Sequence, residues 1–325
     1  MPASEIDEVE FGRTAGAGGA SDLRDHEWDN PVAGTFDGIE RTPGVTKPDP
    51  ILVADRIERR FGGLRAVAVE HVEIQRGAIT ALIGPNGAGK TTFFNLLSGF
   101  DRPDQGTVSF DGRPASGVPS YTLASRGMVR TFQLTKVLAK MSVLDNMMLG
   151  AQHQAGESML TGLLQSWFGQ EARIKARALE ILDQFNMTHM RDEFAGALSG
   201  GQRKLLEMAR AMMAEPRLIM LDEPMAGVNP ALTQSLLGHV KRLRSQGISV
   251  VFVEHDMDVV RDISDWVVVM AEGAVIAEGT SDTIGSNQAV IDAYLGSSHA
   301  ALTEELITGH QPTADEVDEG SRHDR

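Results

Sequence analysis

The chain contains no cysteine among its 325 residues. That absence excludes a disulfide framework, a thiolate metal site and a catalytic thiol. Sequences without cysteine are typical of reducing compartments, because disulfides persist mainly in oxidising ones. We therefore expect a protein of the cytosol.

Long apolar runs are also lacking, since no run approaches the roughly 18 residues that a membrane span requires. The first residues, MPASEIDEVE, are acidic, whereas a signal peptide begins with a basic stretch and continues with an apolar one. We expect neither a targeting segment nor a span. If the protein serves a membrane, it does so through partner proteins.

Basic charge is scarce as well, and the net charge of −15 is unevenly distributed. Residues 1–49 carry 11 Asp and Glu against 4 Lys and Arg, residues 298–325 carry 7 against 2, and residues 50–297 keep only −3. We predict disordered acidic tails at 1–49 and 298–325, because such segments bury little apolar surface, with a regulatory contact as the alternative. The nearly neutral centre lacks the clustered cations that bind nucleic acid, so no nucleic acid is expected as a partner.

Short apolar segments near the N-terminus predict an antiparallel sheet. Its strands are expected at 51–58, 68–75 and 107–110, and the first two flank the turn RRFGGLRA. These segments form the first structural unit of the chain.

Near-continuous apolar runs predict a second, mostly parallel sheet, since strands buried on both faces need apolar residues throughout. The runs lie at 78–84, 217–222, 248–254, 266–271 and 274–279. A helix is expected over 231–246, and alternating strands and helices are typical of an α/β fold with helices flanking the sheet.

A helical subdomain is predicted over about residues 134–214, inserted into the α/β core. The apolar residues of its periodic part fall on one helical face. They are Met159, Leu160, Leu163, Leu164, Trp167, Phe168, Ile174, Ala178, Ile181, Leu182 and Phe185. Such a stripe is usually core, and a membrane contact is the alternative.

The segment 84–91, GPNGAGKT, fits the phosphate-loop pattern G-x-x-x-x-G-K-[ST] and lies between a predicted strand and a predicted helix, as the motif requires. Backbone N–H groups at a helix N-terminus bind phosphate, and the lysine adds a full positive charge. The expected nucleotide-binding residues are Gly84, Pro85, Asn86, Gly87, Ala88, Gly89, Lys90, Thr91 and Thr92. The Thr91 hydroxyl is expected to bind Mg²⁺.

Acidic residues end the apolar strand LIMLD, where Asp222 is followed by Glu223. Beside a phosphate loop, Asp222 is expected to hold Mg²⁺ and Glu223 to activate a water for attack on the γ-phosphate. His255 follows the strand ISVVFVE at the same type of edge, where open α/β sheets bind ligands, and we expect it to contact the γ-phosphate. The other histidines show no metal-binding spacing and are expected at the surface.

The stretch LSGGQ precedes a helix, and Ser199 with Gln202 matches a capping box. Gly200 and Gly201 lie between them. By itself the stretch is a helix start of a kind that many proteins contain. Its position between the phosphate loop and LDE gives it a second interpretation.

A phosphate loop, LSGGQ, LDEP and a histidine closing the next strand, in this order, resemble the nucleotide-binding subunit of ATP-binding-cassette (ABC) transporters. The resemblance spans about residues 50–297. It implies that Phe61 stacks on adenine, and that Gln133 in RTFQ contacts Mg²⁺ or the attacking water and links the site to membrane subunits. Asn229 stands where many cassettes have Asp.

RRFGGLRAV, RTFQ, AGVNP and VEHDM further resemble the larger ATP-binding subunit of branched-chain amino acid importers, and related urea and short-chain amide importers share much of this pattern. The family likeness implies an ABC-type P-loop ATPase that uses ATP and Mg²⁺ at the cytoplasmic face of the membrane. Ser199, Gly200, Gly201 and Gln202 would then face the ATP of a second cassette, identical or related. Two integral membrane subunits and an extracytoplasmic solute-binding protein are the other implied partners.

Two further classes stay open at this point. A soluble cassette protein of translation or DNA repair would normally carry two cassettes or long coiled coils, which the sequence lacks. A subunit that binds ATP without hydrolysing it is disfavoured by the presence of Lys90, Glu223 and His255.

Overall fold

The computed structural model describes residues 28–131, 137–152 and 167–295. The strands of these residues form two sheets. In chain order they are β1 (Pro50–Phe61), β2 (Leu64–Gln75), β3 (Ile79–Ile83), β4 (Gln105–Phe110), β5 (Arg113–Pro114), β6 (Met128–Arg130), β7 (Leu218–Asp222), β8 (Ser249–Val253), β9 (Trp266–Ala271) and β10 (Ala274–Gly279).

The helices lie between these strands or follow them. They are α1 (Lys90–Leu97), α2 (Ser120–Ser125), α3 (Val143–Met148), α4 (Trp167–Gln184), α5 (Gly200–Met212), α6 (Pro230–Ser245), α7 (Met257–Ile263) and α8 (Ser281–Ile284). A further helical segment occupies 288–295. Within the described ranges, no helix combines the length and the apolar character that crossing a bilayer would need.

The first sheet is antiparallel and has the strand order β2-β1-β4-β5. The predicted hairpin is confirmed, and its strands extend further than predicted, because β1 and β2 run on to a tight turn at Gly62 and Gly63. Ile51, Ile57 and Val67 are buried against the other sheet, so this unit covers one face of the core.

The second sheet has the order β10-β9-β3-β8-β7-β6. Strands β3, β7 and β8 are buried at every residue, which explains their continuous apolar sequence. The pairs from β9 through β6 are parallel, as predicted.

Strand β10 differs from that expectation, because it pairs antiparallel with β9. The two-residue turn at 272–273 has positive φ at both positions, 49° at Glu272 and 81° at Gly273. Such a turn closes a hairpin and leaves no room for a crossover helix. Strand β6 was not predicted, because three residues give too little periodicity.

The predicted helical face packs against the core from Ile174, which is partly buried, to Phe185. Ala178, Ile181 and Leu182 of α4, and Phe185 directly after the helix, belong to a core that also contains Leu206 of α5. The predicted positions from 159 to 164 lie outside the described residues. Helices α3, α4 and α5 fall inside the range 134–214.

The segment 28–49 requires a correction, since the sequence placed it in a disordered tail. Val32 and Lys47 are buried, and Phe36 stacks on Trp266 of β9 with ring centroids 4.9 Å apart. Ile39 packs against the same core. The acidic composition of 1–49 as a whole obscured these apolar residues. Residues 1–27 and 298–325 lie outside the described residues.

Candidate functional site

The phosphate loop joins β3 to α1 at the carboxyl end of the sheet. Its first and last glycines are required by close backbone neighbours. A Cβ on Gly84 (φ 147°) would lie 2.0 Å from the Met270 carbonyl oxygen, and one on Gly89 (φ 92°) would lie 2.5 Å from that of Ala66. Gly89 is also the N-cap of α1 and gives the helix no side-chain cap. Backbone N–H groups at this helix start suit a phosphate.

Lys90 begins α1, and its Nζ donates hydrogen bonds to the carbonyl oxygens of Gly84 (2.7 Å) and Pro85 (2.9 Å). Burial lowers the pKa of Lys90, and the attraction of Glu223 opposes this shift. The ammonium therefore lies over the phosphate loop and in the field of the carboxylate expected to act as the base.

Sheet register brings three motifs to one edge. Leu82 of β3 lies beside Val253 of β8, and Val253 lies beside Asp222 of β7. The residues that follow each strand, which are the phosphate loop, His255 and Glu223, therefore emerge at the same carboxyl edge. Ligands bind at this edge in open α/β sheets.

Asp222 is buried and forms an ion pair with Arg130, with 2.8 Å between its Oδ2 and the Nη2 of Arg130. The other Nη of Arg130 donates to Asn95 Oδ1 (2.6 Å) and Ser98 Oγ (2.9 Å) of the α1 region. Arg130 also lies over the ring of Phe94. It connects β6, α1 and β7 at the site.

Sequence reasoning missed Arg130. The available signal was its place three residues before Gln133 in RTFQ. Nothing in that spacing indicates contact with Asp222, which is 92 residues away. Gln133 itself lies outside the described residues.

Glu223 has φ 46°, in the left-handed region that residues with a Cβ rarely adopt. A strained backbone of this kind costs about 1–3 kcal/mol and persists only where the surroundings fix it. The Glu223 N–H donates to the Val253 carbonyl oxygen (3.1 Å), which ties it to β8. Strain at a residue expected to act as a base is typical of a functional site.

His255 is strongly exposed, with 67% of its side chain accessible, and its Nδ1 lies 3.7 Å from Glu254 Oε2. It is therefore accessible to a ligand at the sheet edge.

The expectation that the remaining histidines lie at the surface is wrong for His239, which is 2% exposed and stacks on Phe185. His239 lies on the buried face of α6. The sequence predicted this helix but did not predict that the histidine lies on its buried face.

Phe61 ends β1 and is 50% exposed, with the Arg59 guanidinium 4.8 Å from its ring centroid. An exposed aromatic ring offers a surface on which a base can stack.

Asn229 caps α6 by accepting a hydrogen bond from the Leu232 N–H (2.9 Å). The Asn in place of Asp therefore keeps the capping oxygen.

The LSGGQ stretch forms the capping box that the sequence predicts. Ser199 N–H donates to Gln202 Oε1 (2.8 Å), and Gln202 N–H donates to Ser199 Oγ (3.3 Å). A Cβ on Gly200 would meet no heavy atom within 4 Å, so the helix start has open space there.

Gly201 has another reason to be a glycine. It is buried, and a Cβ on it would lie 1.8 Å from Leu232 Cδ2. The absence of a side chain at Gly201 therefore allows α5 to pack against α6, whereas at Gly200 it leaves open space in front of the helix.

The residues at the sheet edge fit Mg²⁺. The ion prefers hard oxygen ligands and usually keeps several waters beside one or two carboxylates and substrate phosphates. Asp222 provides a carboxylate whose Oδ1 accepts no hydrogen bond from the residues that the structure describes. Thr91 provides a hydroxyl in the first turn of α1.

A strand, a phosphate loop and a helix beside a buried aspartate and a following glutamate define a P-loop ATPase. A family model described as ABC transporter matches residues 69–226. A second, described as branched-chain amino acid ATP-binding cassette transporter, matches residues 274–300.

The chain aligns with relatives named for branched-chain amino acid transport over nearly the whole length of those relatives. The probable branched-chain amino acid transport ATP-binding protein LivG of Archaeoglobus fulgidus is 41% identical over 252 residues, 78% of this chain and 98% of that relative. The high-affinity branched-chain amino acid transport ATP-binding protein BraF of Pseudomonas aeruginosa is 40% identical over 250 residues, 76% and 98% of the respective chains.

The crystal structure of a nucleotide-free ATP-binding cassette from an ABC transporter is also similar, with a TM-score of 0.67 and 36% identity, covering 75% of this chain and 98% of that chain. The chain belongs to the ABC transporter ATP-binding family, in its branched-chain amino acid group. It is an ATPase that binds ATP.

Proposed function

We propose that this chain hydrolyses ATP to power the uptake of branched-chain amino acids through separate membrane subunits. The observation that carries the ATPase mechanism is the meeting of Lys90, Asp222 and Glu223 at one sheet edge. The solute is supported by relatives named for branched-chain amino acid transport and by the match at 274–300.

Nucleotide binding is assigned to the phosphate loop and α1. The N–H groups from 86 to 92 and the Lys90 ammonium bind the β- and γ-phosphates, and the exposed ring of Phe61 stacks on the adenine. Thr91, Asp222 and Gln133 hold Mg²⁺, which when bound neutralises charge on the phosphates.

Hydrolysis is assigned to Glu223. Its carboxylate accepts a proton from the attacking water, a contribution typically worth about 10² to 10⁴ in rate. His255, exposed at the end of β8, contacts the γ-phosphate. Gln133 contacts Mg²⁺ or the attacking water and links the site to the membrane subunits.

The working unit is a head-to-tail pair of cassettes, in which Ser199, Gly200, Gly201 and Gln202 of one chain face the ATP of the other. Such a pair has two composite sites about a two-fold axis. The second cassette is a copy of this chain or a related ATPase. Two integral membrane subunits and an extracytoplasmic solute-binding protein complete the importer, with this chain peripheral at the cytoplasmic face.

The decisive variant is Glu223→Gln, which keeps the shape of the side chain and removes its basicity. We expect ATP to bind with an affinity within about twofold of the parent, while turnover falls at least about 100-fold, in line with the loss of a general base. Nucleotide titration and phosphate release measure the two quantities. Full hydrolysis by this variant would overturn the assignment of the base.

The solute and the partners need a separate experiment. Purification of the tagged chain in mild detergent should bring down two membrane subunits and a second cassette. Vesicles containing that complex should take up leucine, isoleucine or valine with ATP present. Uptake of urea or short-chain amides instead would contradict the proposed solute. Isolation of a dimer without membrane proteins would contradict the proposed importer.

A further inference from the structure

The loop that carries Glu223, residues 223–226, has an unusual backbone. Glu223 adopts a left-handed φ of 46° and is followed by Pro224, which has no N–H to contribute. One internal hydrogen bond crosses the turn, from Ala226 N–H to the Glu223 carbonyl oxygen (3.2 Å). Two side chains from elsewhere in the chain, Lys204 and Glu254, add further hydrogen bonds to this loop.

Lys204 of α5 holds one side of the loop. Its Nζ donates to the carbonyl oxygens of Glu223 (3.0 Å) and Ala226 (2.6 Å), so one ammonium bridges the two ends of the turn. Burial lowers the pKa of Lys204, and Glu254, Glu207 and Glu223 attract its positive charge and oppose that shift. A lysine with a flexible stem would not be fixed in this way at an open surface.

Glu254 holds the other side. It is 1% exposed, and its Oε1 accepts a hydrogen bond from the Met225 N–H (2.9 Å). Its Oε2 accepts from the N–H of His255 (3.3 Å). The same carboxylate therefore fixes the middle of the Glu223 loop and the backbone of the histidine at the end of β8.

Lys204 also faces the catalytic edge. It lines a small cavity together with Thr131, Asp222 and Glu223. Helix α5, on which it lies, begins at the capping box of Ser199, one and a half turns earlier. The contacts of Lys204 thus run from the LSGGQ helix directly to the backbone of the proposed base.

We propose that Lys204 is a positioning residue that holds the strained Glu223 loop against the LSGGQ helix, with Glu254 fixing the opposite side. This inference rests on the proposed function, because it assumes that Glu223 is the base. A shift of α5 on contact with the second cassette would then move the Glu223 carbonyl and with it the carboxylate. LSGGQ of this chain faces the ATP of the second cassette, whereas Glu223 acts on the ATP bound by this chain's own phosphate loop. Lys204 therefore couples the two composite sites of the pair.

The test is Lys204→Met in the full-length chain with its copurifying subunits. Methionine keeps the apolar stem and removes the donors. A small misplacement of a catalytic group can cost about 100-fold in rate, so we expect kcat to fall about 10- to 100-fold. KM and the dissociation constant for ATP should stay within about twofold, because the phosphate loop and Phe61 are untouched.

Two further variants separate positioning from folding. Lys204→Arg keeps donors and charge, and we expect it to restore kcat to within about fivefold of the parent, as two carbonyls remain within reach of a guanidinium. Lys241→Met is the matched control, because Lys241 is a partly exposed lysine paired with Asp262 on α6–α7. It should leave kcat and KM unchanged and lower the melting temperature by no more than a few degrees.

The Glu223→Gln background distinguishes the failure of this inference from the failure of the proposed function. With the base removed, Lys204→Met should lower the residual turnover by less than about twofold, since coupled residues are not additive. An active Glu223→Gln variant would overturn the proposed base. An inactive Glu223→Gln variant together with unchanged kcat in Lys204→Met, or an equal loss in Lys241→Met, would overturn the role of Lys204 alone.

Discussion

Lys47 and Glu278 form a buried ion pair where the N-terminal segment crosses the core sheet, and Arg130 and Asp222 form another at the nucleotide edge. Their N–O distances are 2.6 and 2.8 Å, and neither pair is appreciably exposed. The two pairs differ in how many of their carboxylate oxygens have hydrogen-bond partners within the chain. The two pairs therefore allow a structural role to be compared with a role in the site.

All the oxygens of Glu278 are used within the chain. Its Oε1 accepts from the Gly44 N–H, and its Oε2 accepts from the Lys47 ammonium and the indole N–H of Trp266. Lys47 also donates to the Val45 carbonyl oxygen. A pair closed in this way joins the segment 28–49 to β9 and β10, and it offers nothing to a ligand.

Asp222, in contrast, uses only Oδ2 for Arg130 among the described residues. The second oxygen remains available for the proposed Mg²⁺, while the guanidinium orients the carboxylate. The comparison teaches that burial of an ion pair does not by itself indicate its role. The number of acceptor sites left for other groups does.

The largest expected effect is that of Lys47→Met. Removing one partner leaves the Glu278 carboxylate buried without its cation, which typically costs about 3–5 kcal/mol. We expect the free energy of unfolding to fall by this amount in denaturant titrations, with ATP affinity of the folded protein unchanged.

The double variant Lys47→Met, Glu278→Gln should recover part of that loss, because the charge without a partner is gone. Lys241→Met, which breaks a partly exposed pair, should cost less than about 1 kcal/mol. A loss in Lys47→Met as small as in Lys241→Met would show that the N-terminal segment is not fixed by this pair.

A middle-sized effect is expected at His239, a buried base without an ionic partner. Burial, reinforced by the positive charge of Arg242, lowers its pKa from 6.5 to about 4. The unfolded chain therefore binds a proton that the folded chain does not between these pH values, and stability must fall as pH decreases from about 6.5 to 4. The shift corresponds to a loss of about 3 kcal/mol.

His239→Gln should remove that part of the pH dependence, whatever its effect at pH 7. Unfolding free energies measured from pH 7.5 to 4 check the slope. His189→Gln serves as the control, because His189 is exposed and should leave the slope as it is. An unchanged slope in His239→Gln would place the acid sensitivity elsewhere.

Local patterns made much of the site predictable. The phosphate loop, LSGGQ and the strand before Asp222 each consist of adjacent residues, and the buried parallel strands leave continuous apolar runs. The family resemblance carried by those motifs implied the ABC fold and the ATPase class, and both are confirmed by the relatives.

Contacts between distant residues were not predictable in this way. Arg130 and Asp222 are 92 residues apart, and Lys47 and Glu278 are 231 apart, so no spacing rule connects them. The role of Gly201 depends on Leu232 of another helix. Composition likewise averaged over 1–49 and could not reveal the packed part at 28–49.

The smallest expected effect on stability is that of Arg130→Lys, which sharpens the comparison between the two pairs. Lysine keeps the charge but cannot reach Asn95, Ser98 and Asp222 at once, since it lacks the planar fork. We expect about 1 kcal/mol less stability, the worth of an ordinary hydrogen bond. Because Asp222 loses its orientation, the Mg²⁺ concentration for half-maximal ATP turnover should rise several-fold, whereas Lys47→Met should leave it unchanged. If both variants lowered stability and neither changed the Mg²⁺ requirement, the Arg130–Asp222 pair would be structural too. The proposed difference in role between the two ion pairs would then be wrong.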